Sequence, residues 1–164
     1  MKSGLKNTLF MTLFVLCALV PLAAVASAQG YVFVGVTSYS DSEGLATAVA
    51  LEYEFTPELA LNVEHYSADP IYTSLLARYG AGTGGYGYVG VGTDGIEDWG
   101  VGGFFESRVT DKLDARVYVG INNIINDAVI PEVWAELRYD LGGPWAIMGM
   151  ASGECGELGI SFEF

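Results

Sequence analysis

Through most of the chain, apolar residues alternate with polar or small ones at a period of two. From Leu45 to Phe55 the odd positions read Leu45, Thr47, Val49, Leu51, Tyr53 and Phe55, and the even ones Ala46, Ala48, Ala50, Glu52 and Glu54. Leu113, Ala115, Val117, Val119 and Ile121 alternate with Asp114, Arg116, Tyr118 and Gly120. Val133, Ala135, Leu137, Tyr139 and Leu141 alternate with Trp134, Glu136, Arg138 and Asp140. Successive side chains of a strand point to opposite faces, so the pattern predicts strands with one apolar and one charged face. Ten are predicted, near 30–40, 44–55, 59–67, 71–79, 85–93, 97–109, 113–122, 132–141, 145–151 and 157–164. Merging the glycine-rich stretch from Gly80 to Gly92 with a neighbour would leave eight.

The fold class is therefore all-β, and two architectures fit the alternation. A soluble periplasmic β-sandwich that binds a partner would turn the apolar face inward. An antiparallel up-and-down transmembrane barrel would turn it to lipid and keep Glu and Arg in the lumen. Segments of about ten residues with both charge signs on one face favour the barrel, whose strands need ~9–11 residues. Connections after even strands are tight, as at Thr56-Pro57-Glu58, Ala81 to Gly84, Thr110-Asp111-Lys112 and Gly142-Gly143-Pro144. Those after odd strands, at Ser40 to Glu43, Ala68 to Pro70, Asp94 to Ile96, Asn123 to Pro131 and Ser152 to Gly156, would face the cell exterior, with both barrel ends of the chain periplasmic.

Residues 1–28 read as a cleaved secretory signal. Lys2 and Lys6 supply the positive start, Leu9 to Val20 the apolar run, and Ala26-Ser27-Ala28 the small residues at the cut. Cys17 follows Leu16, which does not suit a lipobox, and goes with the leader, so Cys155 has no internal partner. Residues 29–164 then form one domain. A composition of 51% hydrophobic and 16% charged residues with 22 glycines excludes disorder and a soluble coiled coil. In the mature part Arg78, Arg108, Lys112, Arg116 and Arg138 stand against all 20 acids, which excludes a nucleic-acid partner.

Leu158, Ile160, Phe162 and Phe164 alternate with Gly159, Ser161 and Glu163. This resembles the recognition strand that the assembly machinery reads in bacterial outer-membrane proteins. Residues 30–164 resemble, by pattern, the small OmpA- and OmpX-type barrels and the YfaZ-like proteins. The resemblance implies a monomeric barrel in the outer membrane of a Gram-negative bacterium. It would be exported through the periplasm, handled by periplasmic chaperones and the barrel assembly machinery, and surrounded by lipid and lipopolysaccharide. The short outer connections depart from loop-mediated adhesion.

Glu52, Glu54, Glu64, Arg78, Glu106, Arg108, Asp114, Arg116, Glu136 and Arg138 share the inward face. They are expected to form a packed ionic plug or, alternatively, to line a narrow porin-like passage favouring cations. Asp41, Glu43, Asp69, Asp94, Glu97, Asp98, Asp127, Glu154 and Glu157 fall in the outer connections and read as a solvated acidic rim. No EF-hand spacing occurs, and no metal or cofactor is expected. His65-Tyr66-Ser67 is similar to the His-x-Ser pair of PagL-type lipid A deacylases, which would make His65 and Ser67 a lipid-facing ester-hydrolysing pair. Ala68 stands where that motif continues with asparagine, and the chain is expected to be no enzyme. Gly80 to Gly85 fits G-x-G-x-x-G in letters, but strand rather than helix follows. Trp99 and Trp145 suit an interfacial girdle, and Trp134 the lumen.

Overall fold

The computed structural model describes residues 29–39, 45–67, 71–93, 95–124, 129–153 and 155–164. The leader lies outside the described residues, as do Asp41, Glu43, Asp69, Asp94, Asp127 and Glu154 of the outer connections. Ten strands are formed: β1 Gln29–Tyr39, β2 Leu45–Thr56, β3 Leu59–Tyr66, β4 Tyr72–Tyr79, β5 Thr83–Gly92, β6 Gly95–Thr110, β7 Leu113–Ile124, β8 Ile130–Gly142, β9 Trp145–Ser152 and β10 Cys155–Glu163. Each pairs antiparallel with its sequence neighbour, and β10 closes on β1 through nine register pairs from Tyr31↔Glu163 to Tyr39↔Cys155. Closure leaves no sheet edge. The eight-strand count and the two-sheet sandwich are both corrected by this single closed sheet. The glycine-rich segment is a strand of its own, because Tyr86 and Tyr88 face inward and give it an inner surface to pack.

Parity sets the two faces. Tyr31, Phe33 and Thr37 of β1 are buried in the lumen, while Val34 and Val36 are 47% and 46% exposed on the outside. Val117, Val119, Ile121, Val133, Leu137, Ile147, Leu158 and Ile160 form an outward apolar belt. Val49 and Leu51 also point outward but are covered by their flanking neighbours, Val34 and His65 for one, Val32 and Val63 for the other. Phe55, Tyr79, Tyr139, Trp145 and Phe162 crowd the outer surface near the tight turns, and Trp99 sits outward at the opposite end.

Three tight turns share one device. Thr56 Oγ1 accepts from the N–H groups of Glu58 and Leu59, Thr110 Oγ1 from that of Lys112, and Asp140 Oδ1 from that of Gly142. Each sits at a register shift of its hairpin, where a bulge increases the twist. In the last of them Gly142 and Gly143 have φ of 97° and 66°, a left-handed conformation that glycine adopts without strain.

Candidate functional site, the barrel lumen

The lumen is layered from the turn end to the loop end. Register builds the first two layers as ladders. Arg108, Asp114 and Arg138 are direct partners across β6, β7 and β8, and two residues further in, Glu106, Arg116 and Glu136 repeat the ladder with signs reversed. Arg108 grips Asp114 with two hydrogen bonds of 2.8 and 3.2 Å at an exposed position, and Arg138 pairs with Glu163 of β10.

The second ladder is centred on a buried Arg116. Arg116 donates from Nε to Glu106 at 2.9 Å and from Nη1 to Glu136 at 3.3 Å, and lies 3.6 Å from Glu52 across the lumen. Arg78 donates to Glu52 at 2.6 Å, lies 3.8 Å from Glu106, and rests over the Phe104 ring at 5.3 Å. The Arg78 and Glu52 side chains are only 6% and 3% exposed, so the pair survives by being matched and hydrogen-bonded. Below this cluster a vestibule of about 440 Å³ opens at the turn end, lined by Glu54, Glu106, Asp114, Arg116, Arg138 and Glu163 among others.

Above it the lumen is filled by rings. Tyr118 stacks on Trp134 with centroids 4.4 Å apart, and Tyr86 meets both edge-on at 5.3 and 4.9 Å. Tyr31, Phe33 and Met148 pack from the β1 and β9 side. All except Trp134 are under a tenth exposed. A water-filled passage would leave its lining side chains accessible, so no wide passage runs through this level among the described residues.

The structure brings Glu52, Arg78, Glu106, Arg116 and Glu136 into one network, and sets Arg108, Asp114 and Arg138 in a separate layer with Glu163. Among the described residues Glu54 lines the vestibule without an ion pair. Glu64 also joins no arginine among the described residues and hydrogen-bonds Glu157 and Tyr66. The acidic-rim reading is corrected at three positions, because Glu97, Asp98 and Glu157 belong to strands: Glu97 and Asp98 lie in β6, where Asp98 points inward and accepts from the Tyr72 hydroxyl at 2.8 Å, and Glu157 is an inward β10 residue, 7% exposed. Glu132 is inward as well and accepts from the Tyr86 and Tyr88 hydroxyls at 2.7 and 3.0 Å. Parity marks Asp98, Glu132 and Glu157 as lumenal, but it gives no sign of which tyrosine meets which carboxylate.

His65 and Ser67 lie at the loop end of the outer face. The His65 ring hydrogen-bonds Thr73 Oγ1 at 2.9 Å through Nδ1, and Ser67 Oγ accepts from the Thr47 N–H at 3.1 Å. Leu158, Ile160 and Phe162 face outward, Phe162 packs on Trp145 at 4.9 Å, and the Phe164 N–H donates to the Gly30 carbonyl.

No protein-family model matches the sequence, and no curated protein matches it. Among solved structures, the chain is similar to a de novo designed transmembrane β-barrel, at 18% identity over 84% of this chain and 94% of the other, with a TM-score of 0.44. It is similar to the outer-membrane protein Ail of Yersinia pestis, at 10% identity over 84% and 100%, with a TM-score of 0.41. A porin matches at 19% identity over 85% of this chain and 59% of its own, with a TM-score of 0.36.

Proposed function

We propose that this chain is an integral outer-membrane β-barrel with a structural role, its lumen closed by an ionic and aromatic plug. One observation carries the reading: uncharged apolar side chains such as Val117, Leu137 and Ile160 form the exposed outer belt, while Arg78, Arg116, Glu52 and Glu136 are turned inside. Water would favour the opposite arrangement, whereas lipid requires this one. The turn-side aromatics fit a membrane interface. Lipid and lipopolysaccharide are then its surroundings, and the outward alternation of β10 its address for the assembly machinery. The open vestibule supports a second reading, a narrow cation-favouring pore. A hydrolase built on His65 and Ser67 draws less support, since each side chain is held by a different partner.

Membrane fractionation tests the proposal. The folded chain should leave the membrane only with detergent and migrate faster on a gel unheated than boiled. It should also give no steady current in a planar bilayer. Release by salt or carbonate alone would refute membrane integration, and a stable cation-selective current would refute the closed plug.

A further inference from the structure

The turn-end vestibule holds more negative charge than the arginines around it balance. Glu52, Glu54, Glu106, Asp114, Glu136 and Glu163 line it. Four guanidiniums pair with these six carboxylates, those of Arg78, Arg108, Arg116 and Arg138. Two negative charges are left over, and Glu54 is the lining carboxylate without an ion pair among the described residues. Such an excess by itself would only gather cations from solution.

Three further features give the vestibule the character of a site. Its volume of about 440 Å³ lies in the ~300–1,000 Å³ range of small-molecule pockets. Tyr31, inward on β1 and 8% exposed, lines it, and the Tyr31 hydroxyl has no hydrogen-bond partner among the described residues. A buried hydroxyl left unpaired is costly, so this one calls for a partner from outside the chain. Pro144 and Phe164 join the Tyr31 ring in an apolar wall. A hydrated metal ion has no use for such a wall, whereas methylene groups gain from covering it.

Register places two of the carboxylates to suit a ligand with two charged ends. β2 and β10 both pair with β1, where Glu54 stands opposite Gln29 and Glu163 opposite Tyr31. Their backbones are therefore two strand spacings apart, about 10 Å, with both side chains inward and Tyr31 on the strand between. Arg138 contacts Glu163 at Oε1, and the Glu163 side chain is 45% exposed, which leaves room for a second donor. We propose that the vestibule binds a short alkyl diamine. One ammonium sits on Glu54 and the other on Glu163, the Tyr31 hydroxyl accepts from one of them, and the methylenes lie against Tyr31, Pro144 and Phe164. Its two positive charges match the two left over. An anion would be repelled, and an uncharged sugar would leave Glu54 without a cation.

The test titrates the folded barrel, in micelles of an uncharged detergent, with the five-carbon diamine cadaverine at constant ionic strength in a calorimeter. One molecule should bind per barrel, with Kd about 10⁻³ M or tighter. Pentylamine, which has the same chain and one ammonium, should bind about 10-fold more weakly, and MgCl₂ should not displace the diamine. Glu54→Gln should weaken binding about 10-fold. Tyr31→Phe keeps the ring and removes the hydroxyl, and should weaken it about 5-fold. Glu132→Gln, at the loop end, should leave it unchanged. If a variant fails to fold, the stoichiometry and the pentylamine and MgCl₂ comparisons in the unaltered barrel still decide. The proposal is overturned by no saturable binding at about ten times that Kd, by unchanged binding in Glu54→Gln or Tyr31→Phe, or by equal binding of pentylamine. It is likewise overturned if MgCl₂ competes as well as the diamine does, which would mean that the acidic mouth only accumulates cations.

Discussion

Replacing Arg116 by alanine removes the guanidinium on which three carboxylates converge. Its side chain is 10% exposed, against 3% for Glu52, 15% for Glu136 and 36% for Glu106. Without it Glu52 keeps Arg78, and Glu136 is left with no cation in ion-pair contact. Stranding a buried carboxylate in this way costs ~3–5 kcal/mol. Glu106, at 36% exposed, is partly solvated, so its share falls toward the ~0–1 kcal/mol of an exposed pair. The expected loss is therefore about 3–5 kcal/mol, arising mainly from Glu136. Urea titration of folding into lipid vesicles measures it. The double variant Arg116→Ala with Glu136→Gln should recover a large part of the loss, since the stranded charge is then absent. A loss below ~1 kcal/mol, or no recovery in the double variant, would refute the claim that the Arg116–Glu136 pair is energetically buried. Arg108→Ala is the control: its bond to Asp114 is as short, but it lies exposed, and the unfolding midpoint should barely move.

Val117→Arg and Leu61→Arg place a charge on the lipid side and should lower folding stability by ~2–4 kcal/mol if they sit near the midplane. Equal tolerance of arginine and leucine at Val117 in vesicle folding would refute the outward assignment. Phe162→Ser removes the ring packed on Trp145 and should lower the folded, detergent-extractable fraction in cells, with unfolded chain accumulating in the periplasm; an unchanged folded fraction would count against β10 as the assembly strand. Gly120→Ala should cost ~1–3 kcal/mol by overpacking against the Tyr86 hydroxyl and the Val101 carbonyl, whereas outward Gly87→Ala, 3.6 Å from a Val101 methyl, should cost little by the same titration.

Strand number, strand order and faces were legible in the sequence because parity is a local property. Strand ends matched within two residues throughout, the glycine-rich β5 included. Partnership inside the lumen was not legible. Arg78 and Glu52 lie on β4 and β2 with β3 between them, and Arg116 reaches Glu52 across the barrel. Those distances depend on strand tilt and barrel closure, which alternation does not encode. Tyr118 shows the consequence. As a position on a polar lumen it should accept arginine, yet it is 2% exposed and stacked on Trp134, so Tyr118→Arg would break that stack.

The same geometry explains why the inner face is so rich in glycine. A ten-stranded wall is curved, and its inner side has less room than its outer side. A Cβ on Gly102 would come within 2.7 Å of Tyr86 Cε1, and one on Gly159 within 2.6 Å of Phe33 Cε2. Cβ atoms on Gly120, Gly100 and Gly90 would collide in the same way with Tyr86, Tyr88 and Tyr72. Inward rings thus lie against the bare backbone of neighbouring strands, and from there the hydroxyls of Tyr86 and Tyr88 reach Glu132 and that of Tyr72 reaches Asp98. Glycine at these positions is a packing requirement even though it weakens a strand intrinsically. The rings fit inside the lumen only because the wall beneath them has no side chains, so the glycine-rich strands that gave the weakest periodicity are the ones that seat the rings.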